Sequence, residues 1–201
     1  MMPKGLLIVV SGPSGAGKGT ICKELLKEID LNISISATTR EPRTGEVDGK
    51  NYFFISKNEF KEMLLRNEFL EYAEVYGNYY GTPKKYVLDM LEEGKDVLLE
   101  IDIQGALSVK EIYPDGVFIF ILPPSMEELK KRIEKRGSET KEAMLKRLDA
   151  AYRELKYVFK YDYGVLNDEV DSAVDNIKAI IKAEKCKVNR KKDIIDNIKE
   201  V

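Results

Sequence analysis

The chain has 201 residues, 43% of them hydrophobic, and no apolar run of membrane-spanning length, which predicts one soluble domain with a full core and no membrane partner. Thirty-three Lys and Arg against 35 Asp and Glu leave a formal net charge of -2, so there is no global basic field for nucleic acid, and any anion site is local. The absence of histidine removes Ser-His-Asp and Cys-His nucleophile systems and His-containing zinc sites together.

In chain order, Leu6 to Val10 is a short β-branched run that stops at a Gly/Pro/Ser cluster, as a strand buried on both faces does. The N-terminal apolar run is too short for a signal peptide. With only Cys22 and Cys186, far apart, the expectation is a cytoplasmic chain without a disulfide. A helix is expected from about Gly17. Residues 34–83 read differently, with Gly, Pro and Arg early, then Tyr52 to Ile55, a short helix opened by Ser56 and Glu59, and aromatic-rich strands around Phe69 to Tyr80. That pattern predicts a mixed or antiparallel insertion. Thr82 and Pro83 read as N-cap and first position of the next helix, which Gly94 closes. Asp96 to Ile101 and Gly116 to Leu122 are further apolar runs separated by helical pattern, so the fold class is α/β with a parallel sheet. Ser125 and Glu128 make a capping-box spacing for a helix that Gly137 should end. From Thr140 to Lys160 a second long helix carries Met144, Leu148, Ala151, Leu155 and Val158 as a core stripe. The segment from Lys185 to Val201 is dense in charge, with Ile194, Ile195, Ile198 and Val201 on one helical face.

The segment Gly12-Pro13-Ser14-Gly15-Ala16-Gly17-Lys18-Gly19-Thr20 follows the first strand and opens the first helix, the context in which G-x-x-x-x-G-K binds phosphate. Glycines let successive N–H groups point inward, the helix N-terminus adds about half a positive charge, and Lys18 reaches the β- and γ-phosphates. Gly19 stands where Ser or Thr usually follows the lysine, so direct Mg²⁺ ligation by the loop is in question and the hydroxyl moves to Thr20. A dinucleotide-binding alternative fails, because G-x-G-x-x-G is not completed and no acidic residue follows about twenty positions on.

Only eight of the basic residues are Arg. Arg40 and Arg43 share a loop held extended by Pro42, Arg132 and Arg136 lie four apart on one helix face, and Arg147 sits in the next helix. These five suggest bidentate anion contacts; Arg66, Arg153 and Arg190 read as solvated surface.

Taken together, GPSGAGKGT at 12–20, SISATTREPRTGEVDGKNYFF at 34–54, EFLEYAEVYGNYYGTP at 68–83, LLEIDIQGA at 98–106 and KRIEKRGSET with its following KRL resemble the guanylate kinase family over nearly all the chain. The resemblance implies a P-loop core at 1–33, 84–125 and 148–201, an acceptor-binding insertion at 34–83 and a helical lid at 126–147. It implies transfer of the γ-phosphoryl group from ATP to GMP with Mg²⁺. Carried over by position, GMP phosphate falls to Ser36, Arg40, Arg43, Tyr52 and Tyr80, and guanine to Glu71, Thr82 and Asp102. Arg132 and Arg136 belong with the loop residues on ATP, Asn167 near adenine, and Arg147, on the flank of the lid that closes over the ATP phosphates, with the GMP-binding residues. The implied catalytic set is Lys18, Arg43, Arg132, Arg136 and Arg147, with Thr20 and Asp102 toward the metal, directly or through water. Guanine presents N1–H and N2–H side by side to a carboxylate, and a hydroxyl such as Thr82 can donate to O6, whereas adenine presents an acceptor at N1. By themselves, Glu71 also reads as an exposed strand residue and Asp102 as a helix cap. Two rivals stay open at this point: a kinase for another phosphorylated small acceptor, and a non-catalytic module of the same fold that binds phosphorylated protein. Whether the chain is a monomer or a homodimer is open too.

Overall fold

Why the first strand is apolar up to its last residue becomes plain from its place in the computed structural model, which describes residues 4–75, 77–135 and 141–191. Strand β1 (Leu7–Ser11) lies at the centre of a five-stranded sheet, between β7 (Val97–Glu100) and β8 (Val117–Leu122). The edges are β2 (Asn32–Ile33) and β9 (Tyr163–Leu166), and every pairing is parallel. A parallel sheet is covered on both faces, so alternation of apolar and polar residues disappears. Ile8, Val10, Ile119 and Ile121 pack against α1 (Lys18–Glu28) and α7 (Val170–Lys185). Leu7, Val9, Leu99 and Phe118 pack on the other face, against α3 (Lys84–Glu92) and α4 (Ile103–Ile112). Each such side chain contributes roughly 1.5–3 kcal/mol when fully buried, which makes β1 the anchor for the loop that follows it.

A second sheet comprises β3 (Ala37–Thr38), β4 (Phe53–Phe54), β5 (Phe69–Val75) and β6 (Asn78–Pro83), ordered β4-β3-β6-β5. It is mixed, with β3 and β4 parallel and the other pairs antiparallel. Its own core is aromatic. Phe60 of α2 (Lys57–Leu65) stacks on Phe69 and on Tyr79, with ring centroids 4.4 and 5.4 Å apart. Ser56 accepts from the Glu59 N–H at 3.1 Å, as its capping position requires. The pair α5 (Met126–Lys135) and α6 (Lys141–Glu154) closes on a small cluster of Leu129, Ile133 and Ala151, and Ser125 caps α5 through the Glu128 N–H at 3.0 Å.

Two expectations change. Thr82 is not a helix cap: it lies within β6 with its hydroxyl turned inward, and α3 begins at Lys84 after Pro83 with no side-chain cap. The second long helix stops at Glu154 and continues as a 3₁₀ segment over Leu155–Lys160, where Leu155 and Val158 are only half-buried; Ala151 alone of the stripe is fully buried. Strand β9 and helix α7 complete the sheet and its cover, although Gly164 and the surrounding charges hide the strand's pattern. Arg136, Gly137, Thr140 and the apolar residues at 194, 195, 198 and 201 lie outside the described residues.

Candidate active site

The turn from β1 into α1 is possible only with glycine at its corners. Gly12, Gly15 and Gly17 have φ of 143°, 88° and 94°, the left-handed region that side chains avoid. A Cβ on Gly12 would lie 2.6 Å from the Ile121 carbonyl oxygen, and one on Gly17 would overlap Asn167 Nδ2. Inside the turn, Lys18 Nζ donates to the carbonyls of Gly12 and Pro13 at 2.6 and 3.2 Å. Burial lowers its pKa, and the nearby carboxylates Glu100, Glu154 and Asp102 pull the other way.

These groups open onto a cleft of about 250 Å³ lined at one end by Gly12, Ser14, Gly15, Gly17, Lys18 and Gly19 and at the other by Ser36, Arg43, Tyr52, Glu71 and Tyr80. Glu100, Asp102, Arg147 and Glu154 line the space between. The parallel sheet thus presents the carboxyl ends of β1 and β7 to the second sheet, where α/β folds place their ligands.

At the far end, a bulge between Phe69 and Glu71 breaks the register of β5 against β6, so that Leu70 and Glu71 are both buried. Glu71 is 6% exposed and its Oε1 accepts from the fully buried Thr82 hydroxyl at 2.6 Å. Burial pushes its carboxyl up to about 7, only partly offset by the Thr82 bond, and the charge of Asp102 adds to the rise. The Thr82 proton is therefore committed to the carboxylate here. Asp102 caps α4, its Oδ1 accepting from the Gly105 N–H at 3.0 Å, while its side chain still faces the cleft.

Arg40 and Arg43, paired in sequence, separate in space. Arg43 lines the cleft, whereas both η-nitrogens of Arg40 are engaged: one donates to both Glu46 oxygens at 2.9 Å and the other to the Glu41 carbonyl at 2.6 Å. The Arg40 guanidinium also lies 5.5 Å from the Tyr52 ring centroid, and Tyr52 meets Tyr80 edge-on at 5.9 Å. Burial pushes the Tyr52 phenol up to about 12.

Thr20 lines a second cleft with Gly15, Gly17, Arg132, Asn167 and Asp168, while Asp102 lines the first. Asn167 is 3% exposed and braces the turn, donating from Nδ2 to the Ala16 carbonyl at 2.6 Å. Its own carbonyl accepts from Arg132 at 3.1 Å, and its Oδ1 is buried with no partner among the described residues. Sequence reasoning overlooked Glu100, Glu154 and Glu46. Glu100 had a signal, an acidic residue at the mouth of an apolar strand, and a Cβ on Gly19 would approach its Oε1 to 3.3 Å. Glu154 had none, being one charge among many on a helix.

A glycine turn between a parallel strand and a helix, a lysine folded into it and a cleft of cations and carboxylates define a P-loop kinase. Shikimate kinase from Bacteroides thetaiotaomicron shares the fold at TM-score 0.52 and 16% identity, covering 88% of this chain and 98% of that one. The guanylate kinase family model matches residues 4–184, and the chain belongs to that family. It is 67% identical to the guanylate kinase of Caldanaerobacter subterraneus over 98% of this chain and 96% of the relative, and 63% identical to that of Clostridium tetani over 96% and 93%. The crystal structure of guanylate kinase from Anaplasma phagocytophilum superposes with TM-score 0.81 at 36% identity, covering 94% of this chain and 90% of that one. No helix among the described residues is long and apolar enough to cross a membrane.

Proposed function

We propose that the chain transfers the γ-phosphoryl group of ATP to GMP, and to dGMP, giving ADP and GDP in cytoplasmic purine nucleotide metabolism. The observation that carries this is a buried carboxylate, Glu71, held by Thr82 in the same cleft as the Lys18 loop. A buried carboxylate left unpaired is costly, so the site favours a base edge with two adjacent N–H donors and rejects one with an acceptor there.

The loop N–H groups and Lys18 hold the donor phosphates. Arg43, with Ser36, Tyr52 and Tyr80, orients the GMP phosphate, and Arg40 supports Tyr52 from behind, exchanging its Glu46 partner for phosphate when the acceptor arrives. Arg147, Arg132 and Arg136 supply positive charge as the phosphoryl group moves between oxygens in line. The attacking oxygen belongs to a phosphate that is already anionic near neutral pH, so no side chain needs to remove a proton from it. That is why a chain without histidine suffices. Residues 34–83 and 126–147 close over the 1–33, 84–125 and 148–201 core to exclude water, which would otherwise take the phosphoryl group.

The donor set fits Mg²⁺. Among the described residues no three His, Cys, Asp or Glu side chains form a cage, and Mg²⁺ takes most of its ligands from phosphate and water. Glu100 and Asp102 would hold it through those waters, on the side that Gly19 leaves open, with the Thr20 hydroxyl, which lines the neighbouring cleft, as a further oxygen donor. Held there, the ion would supply positive charge to the donor phosphates. Fluorescence transfer between labels in 34–83 and 126–147 should rise when GMP and an ATP analogue are added together. An unchanged signal contradicts closure.

A further inference from the structure

We propose that Gly105 is a positioning residue for selection of the acceptor base: the missing side chain on α4 sets where the Glu71 carboxylate stands. This rests on guanine being the base that Glu71 receives.

Gly105 is buried in the first turn of α4, facing β5. A Cβ built there would overlap Glu71 Oε2 and lie 2.9 Å from Glu71 Cδ. Nothing in the backbone asks for glycine at this position. Gly105 is absent from the positive-φ glycines, and its N–H bond to Asp102 would survive in any residue but proline. Alanine is moreover the better helix former, so the sequence forgoes helix propensity to keep this spot empty. On its other side the carboxylate is tied to Thr82 at 2.6 Å. A methyl group at 105 leaves it one way to go, outward into the cleft and out of line with two adjacent N–H donors.

Structural and functional consequences therefore point in opposite directions. The obstructing atoms are the end of a side chain, so the fold accommodates Gly105→Ala by moving Glu71, and the helix gains. Base recognition bears the cost, because two hydrogen bonds to one carboxylate demand alignment within a few tenths of an ångström.

The test uses the full chain and compares GMP with inosine monophosphate, which keeps N1–H and lacks the exocyclic amine. Gly105→Ala should raise KM for GMP about tenfold and cut the preference for GMP over inosine monophosphate by about the same factor, the loss of one well-aligned bond to a charged group. KM for ATP should stay within about twofold, and the thermal midpoint should hold or rise. Glu71→Asp, with its shorter reach, should lower GMP use in the native background and restore it by about threefold in the Gly105→Ala background.

Unchanged GMP selectivity in Gly105→Ala would overturn the assignment. So would a lowered midpoint with both KM values raised alike, or a Glu71→Asp loss of equal size in both backgrounds. A native chain that fails to use GMP would be seen before any variant is made, and would overturn the function and this assignment with it.

Discussion

Burial disfavours the charged group at both ends of the cleft, but the two ends partner it differently. At the phosphate loop a lysine donates to two main-chain carbonyls, and three nearby carboxylates only partly offset the burial that lowers its pKa. At the other end one carboxylate is buried against the hydroxyl and backbone of Thr82, and its pKa rises to about 7. The first end has its hydrogen-bond partners in place, although burial still disfavours the charge. The second is suited to a partner, since a buried carboxylate whose pKa stays raised despite its Thr82 bonds gains most from a ligand that brings two more donors.

The contrast also explains what could be read from the sequence. The loop is contiguous, because consecutive backbone N–H groups and positive-φ glycines do the work, and residues 12–20 announce it. Strand β1 was legible for a related reason, since complete burial leaves a run of apolar residues. The far end is assembled from residues 71, 82, 102 and 105 on three elements, and no local spacing links them. Only the family resemblance singled out Glu71, because the bulge that turns it inward has no signature in Phe-Leu-Glu-Tyr. Thr82 was mistaken for a cap for the same reason: Thr-Pro before a helix fits capping, and only the structure reveals that the hydroxyl faces Glu71. Arg40 and Arg43 look equivalent in sequence, and the Glu46 that engages Arg40 alone carries no signal there.

If the two ends differ as described, variants should separate them. The largest effect belongs to Lys18→Ala, expected to reduce kcat by about a thousandfold or more while GMP affinity, measured by calorimetry, changes by less than about threefold. Equal loss of both would show that the ends are not independent. Glu71→Gln should lower kcat/KM for GMP by about a hundredfold and leave ATP binding alone, because the amide offers one acceptor and turns a donor toward the base. Asn167→Ala, which removes the bond to the Ala16 carbonyl, should raise KM for ATP by about tenfold and destabilise the chain by about 1–3 kcal/mol, with GMP affinity unchanged. A GMP defect of the same size would mean that Asn167 braces more than the loop.

A smaller effect should appear as pH dependence. In the folded chain the Glu71 carboxyl titrates near 7, above its usual 4.5. The folded state therefore holds this proton more tightly than the unfolded state, and the stability it contributes is full below about 4.5 and is lost as pH rises through about 7, by up to about 3 kcal/mol. Glu71→Gln should flatten that part of the stability curve and be the more stable protein at pH 8. Guanine needs the charged carboxylate, so GMP binding near pH 6 should expel a proton, seen by calorimetry in buffers of different ionisation enthalpy. The GMP phosphate also ionises near pH 6, and Glu71→Gln serves as the control that isolates the carboxylate.

The most direct measurement is ADP release from ATP and Mg²⁺ with GMP, dGMP, AMP, CMP and UMP offered in turn. GMP and dGMP should be turned over, with kcat/KM for GMP exceeding that for AMP by about a thousandfold or more, as a buried carboxylate aimed at two N–H donors requires. No GMP-dependent ADP, or AMP used as well as GMP, would contradict it.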